Sequence, residues 1–91
     1  MWTVLEHPRK AAKVIDAAPQ QVREKYTGWK QLVEQDGPYA PRKLIGYWDH
    51  ALTGDWAGFR ASSLSRQYRV IYRIDEKAET VFVEKIGPHD Y

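Results

Sequence analysis

The stretch QYRVIYRID, residues 67–75, consists of two alternating sets of side chains. One set is apolar and the other contains two arginines: Tyr68, Val70, Tyr72 and Ile74 against Gln67, Arg69, Ile71 and Arg73. Alternation with a period of two is typical of a β-strand that has one face on the protein core. We therefore predict a strand here, with the apolar set facing the core and the arginines on the uncovered face.

The segments on either side of this stretch predict two more strands. WAGFRASSL at 56–64 precedes it, and TVFVEKIG at 80–87 follows it. The links between the three segments are only residues 65–66 and 76–79, and links this short join antiparallel neighbours. The C-terminal part of the chain is therefore predicted to form a three-stranded antiparallel meander.

The N-terminal part of the chain predicts a strand followed by two helices. WTVLE at 2–6 is the strand, and Pro8 suits the first turn of a helix that extends to about Ala18. Pro19 starts a second helix, which ends at Gly37. The apolar stripe of the second helix consists of Val22, Tyr26, Trp29 and Val33. Because the link between the helices is short, they are predicted to form an antiparallel hairpin.

These elements together predict a single α+β domain that covers residues 1–91. A first strand and a helical hairpin precede the meander, and both helices pack on one face of the sheet. Residues 38–55 have no clear period, and long connections in compact domains tend to be functional. Within them we expect a short turn or helix around residues 49–52.

Composition excludes several classes of protein. The chain is 43% hydrophobic and 13% aromatic, which is richer in both than a disordered chain. It has no Cys and only three scattered His, so no metal site and no other cofactor is predicted. No apolar run approaches the about 20 residues of a membrane span, and the N-terminus lacks the apolar core of a signal peptide. A cytoplasmic protein is therefore expected.

Three arginines are candidates for a binding surface on the uncovered face of the sheet. Arg69 and Arg73 lie there by parity, and Arg60 joins them if Phe59 faces the core. The net charge of +2 is small, so binding to a polyanion must depend on a few well-placed cations. The alternative is that these are ordinary arginines on a solvated face, and parity alone does not separate the two interpretations.

Imidazole and aromatic side chains are predicted to join this face from two directions. The third meander strand leads to His89 and Tyr91, and the irregular segment before the first meander strand contains Trp48, His50 and Trp56. His50 is alternatively a loop histidine that bonds its own backbone. Trp48 and Trp56 either stack on a nucleic-acid base or pack the long loop onto the sheet.

This set of side chains suits the cleavage of RNA. Guanidinium groups bind phosphate through paired hydrogen bonds, and aromatic rings stack on unpaired bases. Two imidazoles can act as base and acid near neutral pH. Attack of a ribose 2′-hydroxyl on its own phosphate needs these groups and no metal.

Three motifs resemble the RelE/ParE superfamily of bacterial toxins from type II toxin–antitoxin modules. They are DHALTGDWAGFR at 49–60, YRVIYRI at 68–74 and GPHDY at 87–91, in the order and spacing of the family. The resemblance covers nearly the whole chain and implies two helices packed on a mainly antiparallel sheet. The RelE-like branch cleaves messenger RNA, usually on the translating ribosome and without metal, so the resemblance implies an endoribonuclease, or mRNA interferase.

The resemblance also implies roles for individual residues. Arg69 matches the arginine that such toxins use on the scissile phosphate, and Arg60 matches a basic residue on the preceding strand. His89 and Tyr91 match a histidine or arginine and a terminal aromatic near the C-terminus, while His50 resembles a histidine in a subset of these nucleases. No glutamate stands where a general base is expected, so the base is either His50 or His89. Arg73 and Trp56 are further candidates for binding substrate.

Two other functions are compatible with the sequence, and a partner is implied in either toxin branch. The ParE-like branch poisons DNA gyrase by binding, although it has no need of a His/Tyr terminus. An RNA-binding domain without catalysis is the third interpretation, since the first meander strand has Ser62 and Ser63 where some relatives have lysines. A toxin of this type implies a cognate antitoxin, in which an acidic segment meets the arginines.

Overall fold

The computed structural model of the chain describes residues 1–88. Its strands are β1 (Thr3–Glu6), β2 (His50–Ala51), β3 (Arg60–Ser63), β4 (Arg69–Asp75) and β5 (Thr80–Gly87). Its helices are α1 (Lys13–Asp16), which continues a π-helical turn at Pro8–Ala12, and α2 (Gln20–Asp36). Short 3-10 turns occupy Ala40–Lys43, Ile45–Tyr47 and Gly54–Trp56.

The strands form one mixed sheet in the order β1-β5-β4-β3-β2. The strands β3, β4 and β5 are antiparallel neighbours, which confirms the predicted meander. The first strand of the chain pairs in parallel with the last, with Thr3 opposite Thr80. The predicted α+β class is therefore confirmed, and the helical segment connects β1 to β2, which lie at opposite edges of the sheet.

The main core lies between α2 and one face of the sheet. The predicted apolar stripe of α2 is buried throughout: Val22, Tyr26, Trp29 and Val33. The Trp29 ring meets the ring of Tyr72 edge-on, with centroids 5.2 Å apart. Val70 and Tyr72 in β4 are both inaccessible to solvent, so the apolar set of the central strand faces the helices as predicted.

A second, smaller hydrophobic cluster covers part of the opposite face. Leu52, Ala61 and Ile71 are buried there, with Trp56 and Phe59 packed against them. Phe59 therefore belongs to this cluster and not to the main core, so the condition under which Arg60 was predicted on the uncovered face is not met.

The other alternating set of side chains in β3, which includes Arg60 and Ser62, consequently faces the helices. Arg60 is paired with Tyr72 across the strands, and Ser62 accepts a hydrogen bond from Trp29. The prediction that Arg60 shares the uncovered face with Arg69 and Arg73 was wrong, because apolar side chains lie on both faces of this strand pair.

Two boundaries also differ from prediction in the irregular segment. The turn or helix expected around residues 49–52 is instead β2, in which His50 pairs with Ala61. The strand predicted at 56–64 begins only at Arg60, because the chain turns at Gly54 and Gly58, with φ of 66° and 92°. Left-handed backbone of this kind interrupts a strand and favours glycine.

Substitution by alanine should change the free energy of unfolding in opposite directions at two glycines, Gly28 inside α2 and Gly37 directly after it. Gly37 has φ 90° and ψ 169°, a region that essentially only glycine adopts, and an added Cβ would lie 3.3 Å from Trp2 Nε1. We expect Gly37→Ala to lower the free energy of unfolding by about 1–3 kcal/mol. Gly28 lies inside the helix with Tyr47 Oη 3.6 Å from an added Cβ, so Gly28→Ala should raise it by about 0.5–1 kcal/mol.

Urea unfolding of both variants beside the wild type checks this pair. Because both substitutions add one methyl group, their difference isolates backbone conformation from side-chain volume. Stabilities that change in the same direction would contradict the assignment of strain to Gly37.

Candidate functional site

An open cleft of about 690 Å³ lies beside α2, where β2, the end of β3 and the start of β4 meet. Its lining includes Lys25, Trp48, His50, Ser63, Arg66 and Arg69. Two of the predicted site residues, His50 and Arg69, are thus brought to one concave surface from β2 and β4. They are 19 positions apart in the chain, and the pairing of β2, β3 and β4 places them on the same surface.

The pairing of the strands explains why His50 and Arg69 share a face. His50 is opposite Ala61, and Ala61 is opposite Ile71, so these side chains form one row across the sheet. Arg69 belongs to the next row on the same face, opposite Ser63. Strand spacing separates the Cα atoms of His50 and Arg69 by roughly 12 Å, a gap that long side chains can bridge through a bound group.

The cleft is electropositive. Lys25 is half-buried, Arg66 is exposed, and Arg69 lies at the start of β4. Asp49 is the acidic residue of the lining, but its carboxylate is paired with Arg60 beneath the surface. An anion entering the cleft therefore meets a surplus of positive charge.

Asp49 anchors this segment to the sheet. Its side chain is 0% exposed, and Oδ1 accepts a hydrogen bond of 2.7 Å from Arg60 Nε. Oδ2 accepts one of 2.5 Å from Ser62 Oγ and another from the hydroxyl of Tyr72. Trp29 Nε1 donates to Ser62 Oγ at 2.9 Å, so the network extends into α2.

This network compensates a buried carboxylate and fixes its neighbours in the chain. One guanidinium and two hydroxyl donors supply the partners that a buried charge requires. Burial, and then the bond to Asp49, raises the pKa of the Tyr72 hydroxyl well above its ordinary value, so this group stays a donor. Because Trp48 and His50 flank Asp49 directly, the anchor also determines where these two residues lie.

The orientation of the His50 ring is set by its own backbone. Nδ1 lies 2.9 Å from the carbonyl oxygen of Trp48. A carbonyl oxygen only accepts, so Nδ1 carries the hydrogen and Nε2 of the neutral ring keeps its lone pair. His50 therefore does bond the backbone of its own loop, as one of the two interpretations of the sequence held. This bond uses Nδ1 and leaves Nε2 able to accept a proton.

The predicted substrate-binding residues do not all reach the cleft. Arg73 lies four residues along β4 from Arg69, about 13 Å away, and its guanidinium stacks over the ring of Phe82 at 4.1 Å. Trp56 packs edge-on against Phe59 and lines a neighbouring cavity of about 470 Å³ that His50 also borders. Arg60 holds Asp49 from the helical side, and its predicted role on phosphate stays a prediction.

The predicted roles of His89 and Tyr91 fall on residues outside the described part of the chain. The described chain leads toward them from Gly87, which is opposite Arg69 across β4 and β5.

Sequence reasoning missed Lys25, Arg66 and the role of Asp49. Lys25 borders the apolar stripe of α2, and its Nζ donates to the carbonyl oxygen of Gly46 at 2.8 Å. Arg66 is exposed in the turn between β3 and β4, where no periodic pattern singles out a residue. The sequence did contain a signal for the network. Arg60 and Ser62 are on the same face of β3, and two hydrogen-bond donors on one face indicate a shared acceptor.

The described residues form neither a metal cluster nor a membrane span. Within residues 1–88, no three or more His, Cys, Asp or Glu side chains converge in a way that would hold a metal ion. Over the same residues, none of the helices is at once long and apolar enough to cross a bilayer.

The chain is similar to known proteins in its structure and not detectably in its sequence. No protein-family model matches the chain, and no curated protein matches it in sequence. Solved structures match over nearly the full length. A chain of the archaeal RelE–RelB complex from Pyrococcus horikoshii is 21% identical with a TM-score of 0.75, over 96% of this chain and 93% of that one.

Two bacterial structures agree with the archaeal one. A YoeB/ParE toxin from Agrobacterium tumefaciens has a TM-score of 0.78 at 14% identity, over 97% of this chain and 99% of that one. A chain of the DinJ–YafQ complex from E. coli has a TM-score of 0.75 at 18% identity, over 98% and 94%. The protein therefore has the fold of the RelE/ParE superfamily, as the three sequence motifs predicted.

Proposed function

We propose that this chain is the toxin of a type II toxin–antitoxin system and that it cleaves messenger RNA as a metal-independent endoribonuclease. The observation that carries the proposal is the electropositive cleft shared by His50 and Arg69. The tautomer of His50 leaves a proton acceptor beside a guanidinium that can bind phosphate. Likeness in fold to RelE, YoeB and YafQ structures supports the role as a toxin.

The reaction begins at the ribose 2′-hydroxyl next to the cleaved link. Nε2 of His50 accepts the hydroxyl proton, and the 2′-oxygen forms a bond to the adjacent phosphorus. The bond from phosphorus to the 5′-oxygen breaks, which leaves a 2′,3′-cyclic phosphate and a 5′-hydroxyl. Arg69 donates hydrogen bonds to the phosphate oxygens, where negative charge increases during attack.

The leaving 5′-oxygen needs a proton donor, and we assign this role to His89. Tyr91 then orients or stacks on the substrate. The pairing of Gly87 with Arg69 supports this assignment, because two further residues of chain span at most about 7 Å. A general acid of this kind typically contributes about 10²–10⁴-fold to the rate.

The partners follow from the same surface. A cognate antitoxin with an acidic segment would neutralise Lys25, Arg66 and Arg69 and block entry of RNA. The named complexes RelE–RelB and DinJ–YafQ support a partner of this type. The substrate is messenger RNA in the cytoplasm, bound to the translating ribosome.

Expression of the chain under tight control, followed by mapping of new 5′ ends on cellular messenger RNA, tests the function. The wild type should arrest growth and produce new ends that carry a 5′-hydroxyl. Arg69→Ala removes a donor from the developing charge, and His89→Ala removes the acid. Each should reduce cleavage by about 10²–10³-fold or more.

Arg9→Ala is the matched control for loss of a cation, because Arg9 is exposed in the π-helical turn and does not line the cleft. It should cleave as the wild type does. Growth arrest with intact RNA and inhibited gyrase supercoiling would instead favour the ParE-like function. Tight RNA binding with no product from the wild type would identify a non-catalytic RNA-binding domain.

A further inference from the structure

Trp48 is unusually placed for a large aromatic residue. Its side chain is 69% exposed at the mouth of the cleft, beside His50 and the cations at 25, 66 and 69. Within residues 1–88 it belongs to neither hydrophobic cluster. The alternative in which Trp48 packs the long loop onto the sheet is therefore excluded for this residue.

The backbone of Trp48 is held in a costly conformation. Its φ of 46° and ψ of 41° are left-handed, a region that bulky side chains rarely adopt. The conformation persists because both backbone groups are bound: the N–H donates to the carbonyl oxygen of Ile45 at 3.0 Å, and the carbonyl accepts from His50. Strain of this kind is retained where the surrounding structure fixes it, and such positions concentrate at functional sites.

The position of the indole is thereby linked to the catalytic imidazole. Trp48 supplies both the carbonyl oxygen that orients His50 and the exposed ring next to His50. Asp49, which lies between the two residues in the chain, is fixed by hydrogen bonds to β3. A phosphate that reaches both His50 and Arg69 therefore carries a nucleotide whose base lies near the indole.

We infer that Trp48 is a stacking platform for the base of a nucleotide adjacent to the cleaved phosphate, and that it favours a purine at this position. The inference rests on the proposed function and names a subsite within it. An exposed aromatic ring beside cations is the arrangement by which proteins bind unpaired bases. A purine overlaps an indole over a larger area than a pyrimidine does, so stacking strength alone produces a preference.

The test measures kcat/KM for synthetic messages, both free and on programmed ribosomes. The messages have a purine, a pyrimidine or an abasic site on either side of the cleaved link. Trp48→Ala should lower kcat/KM on the purine message by about 5- to 150-fold, while Trp48→Phe should retain most of it. On the message with the abasic site at the stacked position, Trp48→Ala and the wild type should be equal.

Ile45→Ala is the matched control, because Ile45 is 82% exposed in the adjoining turn and does not line the cleft. It should behave as the wild type on every message. An equal loss for Trp48→Ala on purine and abasic messages would overturn the inference and indicate a purely structural role. Wild-type activity of Trp48→Ala on all messages would also overturn it, with the nuclease function intact. A wild type that cleaves none of the messages would reject the proposed function itself.

Discussion

Substitution of His50 by glutamine is expected to lower the rate of RNA cleavage by about 10²–10⁴-fold. Glutamine is of similar size and keeps a hydrogen-bond donor for the carbonyl oxygen of Trp48, but it cannot take up a proton from a hydroxyl near neutral pH. The loss should therefore appear in single-turnover cleavage. Binding of a strand with a 2′-deoxyribose at the cleaved link should be close to that of the wild type.

His7 provides the control for a change of histidine elsewhere. Its Nδ1 accepts hydrogen bonds from the backbone N–H groups of Arg9 and Lys10, at 3.2 Å and 3.1 Å, and so caps the first helical turn. Asparagine is an equally good cap, so His7→Asn should leave cleavage unchanged. If His50→Gln cleaves at the wild-type rate, His50 is not the base. That role would then pass to His89, the alternative left open by the sequence.

Replacement of Asp49 by asparagine is expected to have the largest effect on stability. The buried carboxylate accepts from Arg60, Ser62 and Tyr72, whereas an amide offers one acceptor oxygen and places two donor hydrogens among donors. Arg60 would also lose the partner of its charge. Breaking a buried pair on one side typically costs about 3–5 kcal/mol, a large fraction of the total for a domain of this size.

Urea unfolding of Asp49→Asn beside Asp55→Asn measures this cost. Asp55 is an exposed acid in the turn Gly54–Trp56, so its neutralisation should change the free energy of unfolding by less than about 0.5 kcal/mol. A double-mutant cycle with Arg60→Met should give a coupling energy of about 0.5–3 kcal/mol. Equal, small effects of the two acid substitutions would mean that the network around Asp49 does not stabilise the fold.

The elements with strong local periodicity were predicted well. The second helix begins after Pro19 and ends before Gly37, and its apolar stripe is the buried face. The strand β5 has the predicted bounds, Thr80–Gly87, and β4 lies within the predicted 67–75. In these segments one side is buried, so apolar residues recur with the period of the helix or strand. That period can be detected in the sequence without information on which distant segments pack against it.

The elements that depend on distant partners were not predictable in the same way. The parallel pairing of β1 with β5 joins residues nearly 80 positions apart, and the two-residue strand β2 exists because β3 lies beside it. A strand of two residues has no period to detect. Its pairing nevertheless brings His50 onto the same face as Arg69.

Arg60 illustrates the limit of arguments from parity. Alternation identifies two faces of a strand, but it does not say which face the helices cover when both carry apolar residues. Ile71, in the set assigned to solvent, is the residue that revealed a second cluster once the structure was known. The buried network of Asp49 was hidden for the same reason, since its members come from two strands, β3 and β4, and from the loop before β2.

The chain by itself determined the fold class, the limits of the long helix and of the last strand β5, and the candidate chemistry of imidazole and guanidinium, because these depend on local pattern and residue type. Tertiary structure alone decided that His50 and Arg69 share a cleft while Arg60 turns away to hold Asp49. It also decided that Trp48 is exposed beside them. The physical reason is that the spatial neighbours of a side chain are fixed by strand register and by burial on two faces, which are properties of contacts between segments far apart in the chain.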